Sequence, residues 1–296
     1  MEETDVVTGE MDYGNTRRAS IFTQTTFIIP AFVLAVLLCI AIFAPAVAPH
    51  PPNKMSLTKR LQPPAFVMGG SRAYILGTDK LGRDILSRAI YGARVSLSVS
   101  LLVILITSTC GTILGITAGY LGGRVDGLIM RITDVSLCFP ALLLAMLLAV
   151  SLGPSFLTVV LSMSILGWAP YARLIRGETL KLREADFVAQ ARIIGSSALR
   201  IMVRHIFPNI INPLIIMMTL SVGMLILTES TLSFLGFGIP PPTPSWGSMV
   251  SDGRSLIERA WWISFFPGIA IGLVVLSGNF LGDWLRDKLD PRLRQI

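Results

Sequence analysis

Residues Glu184–Pro208 read EADFVAQARIIGSSALRIMVRHIFP. The stretch stands between two long apolar blocks and is the most basic part of the C-terminal half of the chain. Phe187, Val188, Ala191 and Ile194 fall at i, i+1, i+4 and i+7, which predicts a short helix with one apolar face. Gly195 ends it, since glycine enters a left-handed C-terminal turn at least cost. Ser196 or Ser197 caps a second helix, in which Leu199, Met202, Val203, Ile206 and Phe207 form the apolar stripe while Arg200 and Arg204 lie off it. Pro208 stops that helix or kinks it into the next segment. Periodicity leaves two readings open: a hairpin lying on lipid headgroups, or a docking site for a partner.

The surroundings set the class. Of 296 residues, 52% are hydrophobic and 15% charged, against about a quarter charged in soluble domains. The expectation is an all-α integral membrane protein with no large soluble domain. The net charge of +7 is spread between apolar blocks, so it reads as topology signal and headgroup contact rather than a nucleic-acid patch. Cys39, Cys110 and Cys138 lie within or beside apolar segments and have neither metal-ligand spacing nor a disulfide framework.

Outward from the hairpin, six spans are expected. Residues 1–26 are a polar tail, and 27–48 is the first transmembrane helix, too far from the start for a cleaved signal. Residues 49–94 form a Pro-rich loop followed by an interfacial helix that starts near Asp84. The five-helix core covers 95–281. Val95–Tyr120 is the second span, in which Gly111, Gly115, Gly119 and Gly123 recur every four residues and let another helix approach closely, inside one bundle or between subunits. Gly122–Asp134 is a short polar turn or helix. Val135–Leu152 and Phe156–Tyr171 are spans three and four, divided by SLGPS. Span five, Asn209–Phe234, contains Glu229, a carboxylate that either lines a translocation path or is tied to a neighbouring helix. A Gly- and Pro-rich segment, 235–259, precedes span six, Ala260–Leu281, and residues 282–296 are a charged tail. With both termini and 184–208 inside, inner segments hold 15 Lys and Arg and outer ones 10, a bias of the sign the positive-inside rule requires.

Ala189, Gln190 and Ala191, then Gly195, then Pro208 resemble the "EAA" loop of ABC-importer permeases, the cytoplasmic helix that docks on the ATP-hydrolysing subunit. The resemblance implies a coupling role for Glu184, Asp186, Phe187, Ala189, Gln190, Ala191, Arg192, Gly195 and Pro208. Ala189 stands where the motif has glutamate and Gln190 where it has its first alanine, so no ion pair is expected from that position. GTDKLGRDILSRAIYGARVSL at 77–97, LSFLGFG with PPTPSWG within Leu232–Gly247, and LRDKLDPR at Leu285–Arg292 are similar to segments of the second permease subunit of dipeptide, oligopeptide and nickel importers. The resemblance implies the type I ABC-importer permease fold in a bacterial or archaeal cytoplasmic membrane. It also implies a second, related permease, two ATP-binding subunits and an extracytoplasmic binding protein. Peptides are the expected cargo, with nickel chelates, glutathione or another small solute as the alternative. No G-x-x-x-x-G-K-[ST] loop occurs in the chain, so ATP and Mg²⁺ are expected in the partner subunits, with no cofactor, metal or catalytic residue here. A secondary transporter would need titratable groups within the spans and an inverted repeat. Glu229 is the one clear candidate for the first, and no repeat is evident.

Overall fold

The computed structural model describes residues 13–289. The ends of both expected tails, residues 1–12 and 290–296, lie outside the described residues, as does the end of the LRDKLDPR segment. The described chain is helical: α1 (Tyr13–Ile42), α2 (Ala44–Val47), α3 (Ile85–Leu121), α4 (Gly123–Cys138), α5 (Ala141–Leu152), α6 (Phe156–Arg183), α7 (Asp186–Ile193), α8 (Ala198–Ile201), α9 (Phe207–Phe234), α10 (Trp246–Gly253) and α11 (Trp262–Leu289). A single isolated bridge, Thr78 to Asp84, is the only extended pairing among the described residues.

Among the described residues, four helices are long and apolar enough to cross a bilayer, α3, α6, the continuous run Ala198–Phe234, and α11, and Phe27–Ile42 is a shorter apolar stretch. A fifth crossing exists if α4 and α5 count as one broken span, bent by 83°. The structure departs from the bounds of the six expected spans in two places. The third expected span, 135–152, is interrupted. Pro140 forces the residue before it out of helical geometry, and Phe139 sits at φ −80°, ψ 134°. That leaves α5 with 12 residues, about 18 Å of helix, well short of a bilayer core of about 30 Å. The first expected span also differs, because helix starts at Tyr13 within the presumed tail and ends at Ile42, before 48. The other boundaries shift outward. α3 begins at Ile85 and runs through the expected interfacial segment without a break, capped by Asp84, whose carboxylate accepts from Ser87 N–H. α11 continues to Leu289, into the expected tail.

The largest helix pairing joins α3 to α6. Its seam is made of three of the glycines of α3, Gly111, Gly115 and Gly119. A Cβ at Gly111 would lie 2.4 Å from Tyr171 Cβ, one at Gly115 2.7 Å from Ala172 O, and one at Gly119 2.7 Å from Thr179 Cβ. The two backbones touch because these positions carry no side chain. The stripe thus packs inside one subunit. Gly123 is not part of it: Gly122 and Gly123 both have positive φ and break the helix between α3 and α4. α4 returns along α6, fastened by Arg176 Nη2 donating to Asp126 Oδ2 at 2.6 Å and by the Arg173–Asp134 pair. Apolar layers fill the remaining interfaces. Val99, Val103, Ala145, Val159 and Leu232 form one, and Ile226, Val274 and Trp246 with α1 residues Leu34, Leu37 and Ala41 another.

Gly115→Val inserts two methyl groups where backbone atoms stand, and overpacking of this kind costs about 1–3 kcal/mol. Gly127→Ala in α4, where a Cβ meets no atom within 4 Å, is expected to be neutral or to stabilise by about 0.5–1 kcal/mol. Melting temperatures of the two purified variants in detergent test this: Gly115→Val falls and Gly127→Ala does not.

Candidate functional site

Residues 184–208 form a helix–turn–helix clamped to the ends of α3 and α6. Ala185 is extended, and α7 then runs for eight residues from Asp186. Its C-terminus closes in a two-bond glycine turn. Ser196 N–H donates to Ala191 O (3.0 Å) and Gly195 N–H to Arg192 O (2.9 Å), with Gly195 at φ +82°. This is the Schellman arrangement, in which the left-handed residue frees the chain to reverse. Ser197 caps α8 through Arg200 N–H at 3.4 Å.

The inner face is anchored by Val188 and Ala191 of α7, and by Ile201, Ile206 and Ile210 further on, all packed on Ile116 of α3 and Ile175 of α6. Arg192 reinforces the clamp. Its guanidinium lies 5.3 Å from the centre of the Tyr120 ring and donates to Arg183 O at 3.3 Å. The outer face carries Glu184, Asp186, Phe187, Ala189 and Gln190, all exposed. Beyond them Ile193 and Ile194 are 85% and 83% exposed.

Two expectations about this stretch are corrected. Phe187 and Ile194 were expected on the buried face with Val188 and Ala191, yet both point outward, since α7 is short and two residues suffice to seat it. The second stripe fails more broadly: Leu199, Val203 and Phe207 are exposed, Met202 is half-buried, and only Ile206 is buried. The cause is a π turn at Met202–Ile206, closed by Phe207 N–H to Met202 O. A π turn takes in one extra residue, so the inward positions become 201, 206 and 210. Pro208 does not stop the helix. It occupies the first turn of α9, and the Asn209 side chain donates to His205 O at 2.6 Å.

Glu229 lies far from this hairpin, fully buried in α9. Ser96 of α3 donates to Oε2 at 2.9 Å and Ser233 to Oε1 at 2.7 Å. Ser245 donates onward to Ser233 at 3.3 Å, and Trp246 N–H reaches Ser96 Oγ at 3.4 Å. Trp246 itself is buried and donates from its indole to Ala89 O at 3.0 Å. One carboxylate therefore joins α3, α9 and the start of α10, with both oxygens occupied. Sequence reasoning missed Ser96, which is 133 residues away, and Tyr120, Ile201 and Asp126, whose roles depend on packing between distant segments.

The sequence from 111 to 295 matches the family model described as "Binding-protein-dependent transport system inner membrane component". The chain belongs to this family. Residues 21–64 of this inner membrane component also match the N-terminal TM domain of oligopeptide transport permease C. Similar proteins include the dipeptide transport system permease protein DppC of Escherichia coli K12, 45% identical over 88% of this chain and 87% of the relative. The di/tripeptide transport system permease protein DppC of Pseudomonas aeruginosa is 43% identical over 89% of this chain and 86% of its own length. The probable D,D-dipeptide transport system permease protein DdpC of E. coli K12 is 40% identical over 88% and 86%. As a multi-pass inner membrane component, the chain works within a transport system of several subunits. The hairpin and Glu229 fall inside 111–295, whereas Ser96 lies outside both matched ranges.

Glu229→Gln keeps the volume and one acceptor oxygen and lets the serine hydroxyls rotate, so stability is expected to stay within about 1 kcal/mol of wild type. Glu229→Ala strips both acceptors and leaves a cavity, with an expected loss of about 3 kcal/mol. Thermal unfolding of both variants, with substrate uptake measured in parallel, checks the structural role. A Glu229→Gln protein that folds normally and loses all uptake would instead mark a transport group.

Proposed function

We propose that this chain is one of two related permeases that enclose the path of an ATP-driven peptide importer, with six spans and both termini in the cytoplasm. The names of its relatives, all peptide permeases, support the cargo class. Chemistry supports the need: a peptide cannot enter hydrocarbon with its amides unsatisfied, and so requires a protein-lined, water-accessible path.

The observation that carries the reading is the outward-facing Ile193–Ile194 pair on a hairpin whose inner face is locked to α3 and α6. In this reading two ATP-hydrolysing subunits, which hold ATP and Mg²⁺, grip that pair from the cytoplasm. The hairpin transmits their movement because it has no slack. Only two residues separate α6 from α7, and α8 continues through the π turn into α9 as one helix. ATP-driven closure of the pair pulls the ends of α6 and α9 together and switches access to the path. A binding protein delivers peptide at the opposite face. The rival use of Glu229 as an ion-coupling group is less well supported, since two serine hydroxyls already bond its oxygens.

The test is recovery of bound chains from native membranes in mild detergent. Wild type is expected to bring down a second permease and ATPase subunits. Replacing Ile193 and Ile194 together with Asp is expected to cut ATPase recovery about tenfold or more, the scale of losing central interface anchors, while leaving the second permease in place. Equal ATPase recovery from the double variant would sink the coupling assignment, and a wild-type chain that comes down alone would sink the importer.

A further inference from the structure

At the end of α3 far from the hairpin, two arginines are buried, and one of them has too few partners. α3 is 37 residues long, about 55 Å at 1.5 Å per residue. Its C-terminal end touches the coupling hairpin through Tyr120. Its first turns carry Arg88, and Arg83 lies just before them. Both are only 4% exposed.

Arg83 is well held. Its Nε donates to Asp79 Oδ2 at 2.6 Å, and its Nη2 lies 3.6 Å from Asp252. The other Asp79 oxygen takes the backbone N–H groups of Leu81 and Arg83, each at 2.9 Å. Asp252 is engaged by Lys80 at 2.6 Å. Arg88 is left with what remains: a 3.7 Å approach of Nε to Asp79 Oδ2 and a 3.5 Å contact from Nη1 to Pro52 O. A guanidinium has five N–H donors in one plane, and a buried charge without close partners is costly.

Both arginines line a cavity of about 330 Å³. Its other walls come from Pro154 at the α5–α6 turn, the Gly236–Thr243 loop, and Ser248, Ser251 and Asp252 of α10. Ser233, which bonds Glu229, also lines it. The site is thus assembled from separate segments, with a cation at its wall whose hydrogen-bonding capacity is unspent.

We propose that Arg88, backed by Arg83, is a subsite for the C-terminal carboxylate of an incoming peptide. The proposal rests on the peptide-importer reading, which puts this face on the side where cargo arrives. A carboxylate is the group that matches the planar fork of a guanidinium with two parallel hydrogen bonds. It is also the group that unmodified peptides share whatever their side chains, so contact with it admits varied sequences. The loop and turn walls leave room for backbone and a small residue beside it. Asp252, held by Lys80 on the same wall, repels a carboxylate placed the other way and so fixes the orientation.

The complete importer in nanodiscs, without its binding protein, is titrated with Ala-Ala, with Ala-Ala amide and with inorganic phosphate, binding being read by saturation-transfer NMR. Wild type is expected to bind Ala-Ala about tenfold tighter than the amide, the value of one charge-assisted contact. Arg88→Gln is expected to erase that preference and Arg88→Lys to keep part of it, with melting curves confirming folded protein. Equal binding of acid and amide by wild type overturns the proposal without any variant. Phosphate binding as tight as Ala-Ala, and lost in Arg88→Gln, overturns the assignment to peptide. If the same complex in sealed vesicles with its binding protein and ATP imports peptide yet shows no acid preference, the subsite is removed and the importer stands, whereas a complex that imports no peptide there removes both.

Discussion

Two helix backbones in direct contact set the terms for this structure. α3 and α6 approach so closely at Gly111, Gly115 and Gly119 that Tyr171, Ala172 and Thr179 fill the space a side chain would need. Without a hydrophobic force between helices in lipid, such close packing is the main source of association. Because α3 is long, the seam also fixes both of its ends relative to α6. One end presents Ile116 and Tyr120 to the hairpin, and the other presents Arg88 to the cavity beside α10. The α4 helix, bolted to α6 through Asp126 and Asp134, belongs to the same rigid unit.

A second demand acts along the spans: polar groups in an apolar setting must find partners within the chain. Serine and threonine hydroxyls meet it locally by bonding carbonyls a turn earlier, as Thr107 does with Val103 O and Ser221 with Met217 O. Glu229 cannot be satisfied that way, having only acceptors when ionised. It draws donors from α3 and from its own helix, and through Ser245 it ties in the loop leading to α10. A group that seems to invite a transport role is thereby also what seats Trp246 between α3 and α9.

Much of this was legible in the sequence where the controlling physics is local. Runs without charge located the long helices, Gly195 marked the end of α7 and Asp84 the entry to α3, and of the two candidate caps for α8, Ser196 and Ser197, the structure uses Ser197. What escaped reading depended on backbone exceptions or distant partners. The break at Phe139 was written in Pro140, yet the uncharged run on both sides outweighed it. The stripe through Leu199 and Val203 assumed 3.6 residues per turn, and a π turn annulled the assumption. Arg83 and Arg88 sit in a stretch that reads as an interfacial helix, and their burial depends on distant partners, Asp252 and Pro52. The hairpin residues divide likewise: helix and turn were predictable from 184–208 alone, but which of Phe187 and Val188 faces inward depends on the Ile116 and Ile175 seats supplied by distant helices.

The π turn at Met202–Ile206 makes chain length itself a constraint. Surface hairpins ordinarily absorb insertions and deletions, because loop closure depends only weakly on length. Here the hairpin feeds into α9 without a loop. Straightening the turn into regular α-helix with every residue kept would rotate everything before it by about 100° relative to α9. Val188 and Ile201 would swing out of their seats while Leu199 and Val203 turned in, with no change in composition. Across relatives that use this clamp, a spacing between Gly195 and Pro208 shorter by one residue should therefore go with loss of the π turn.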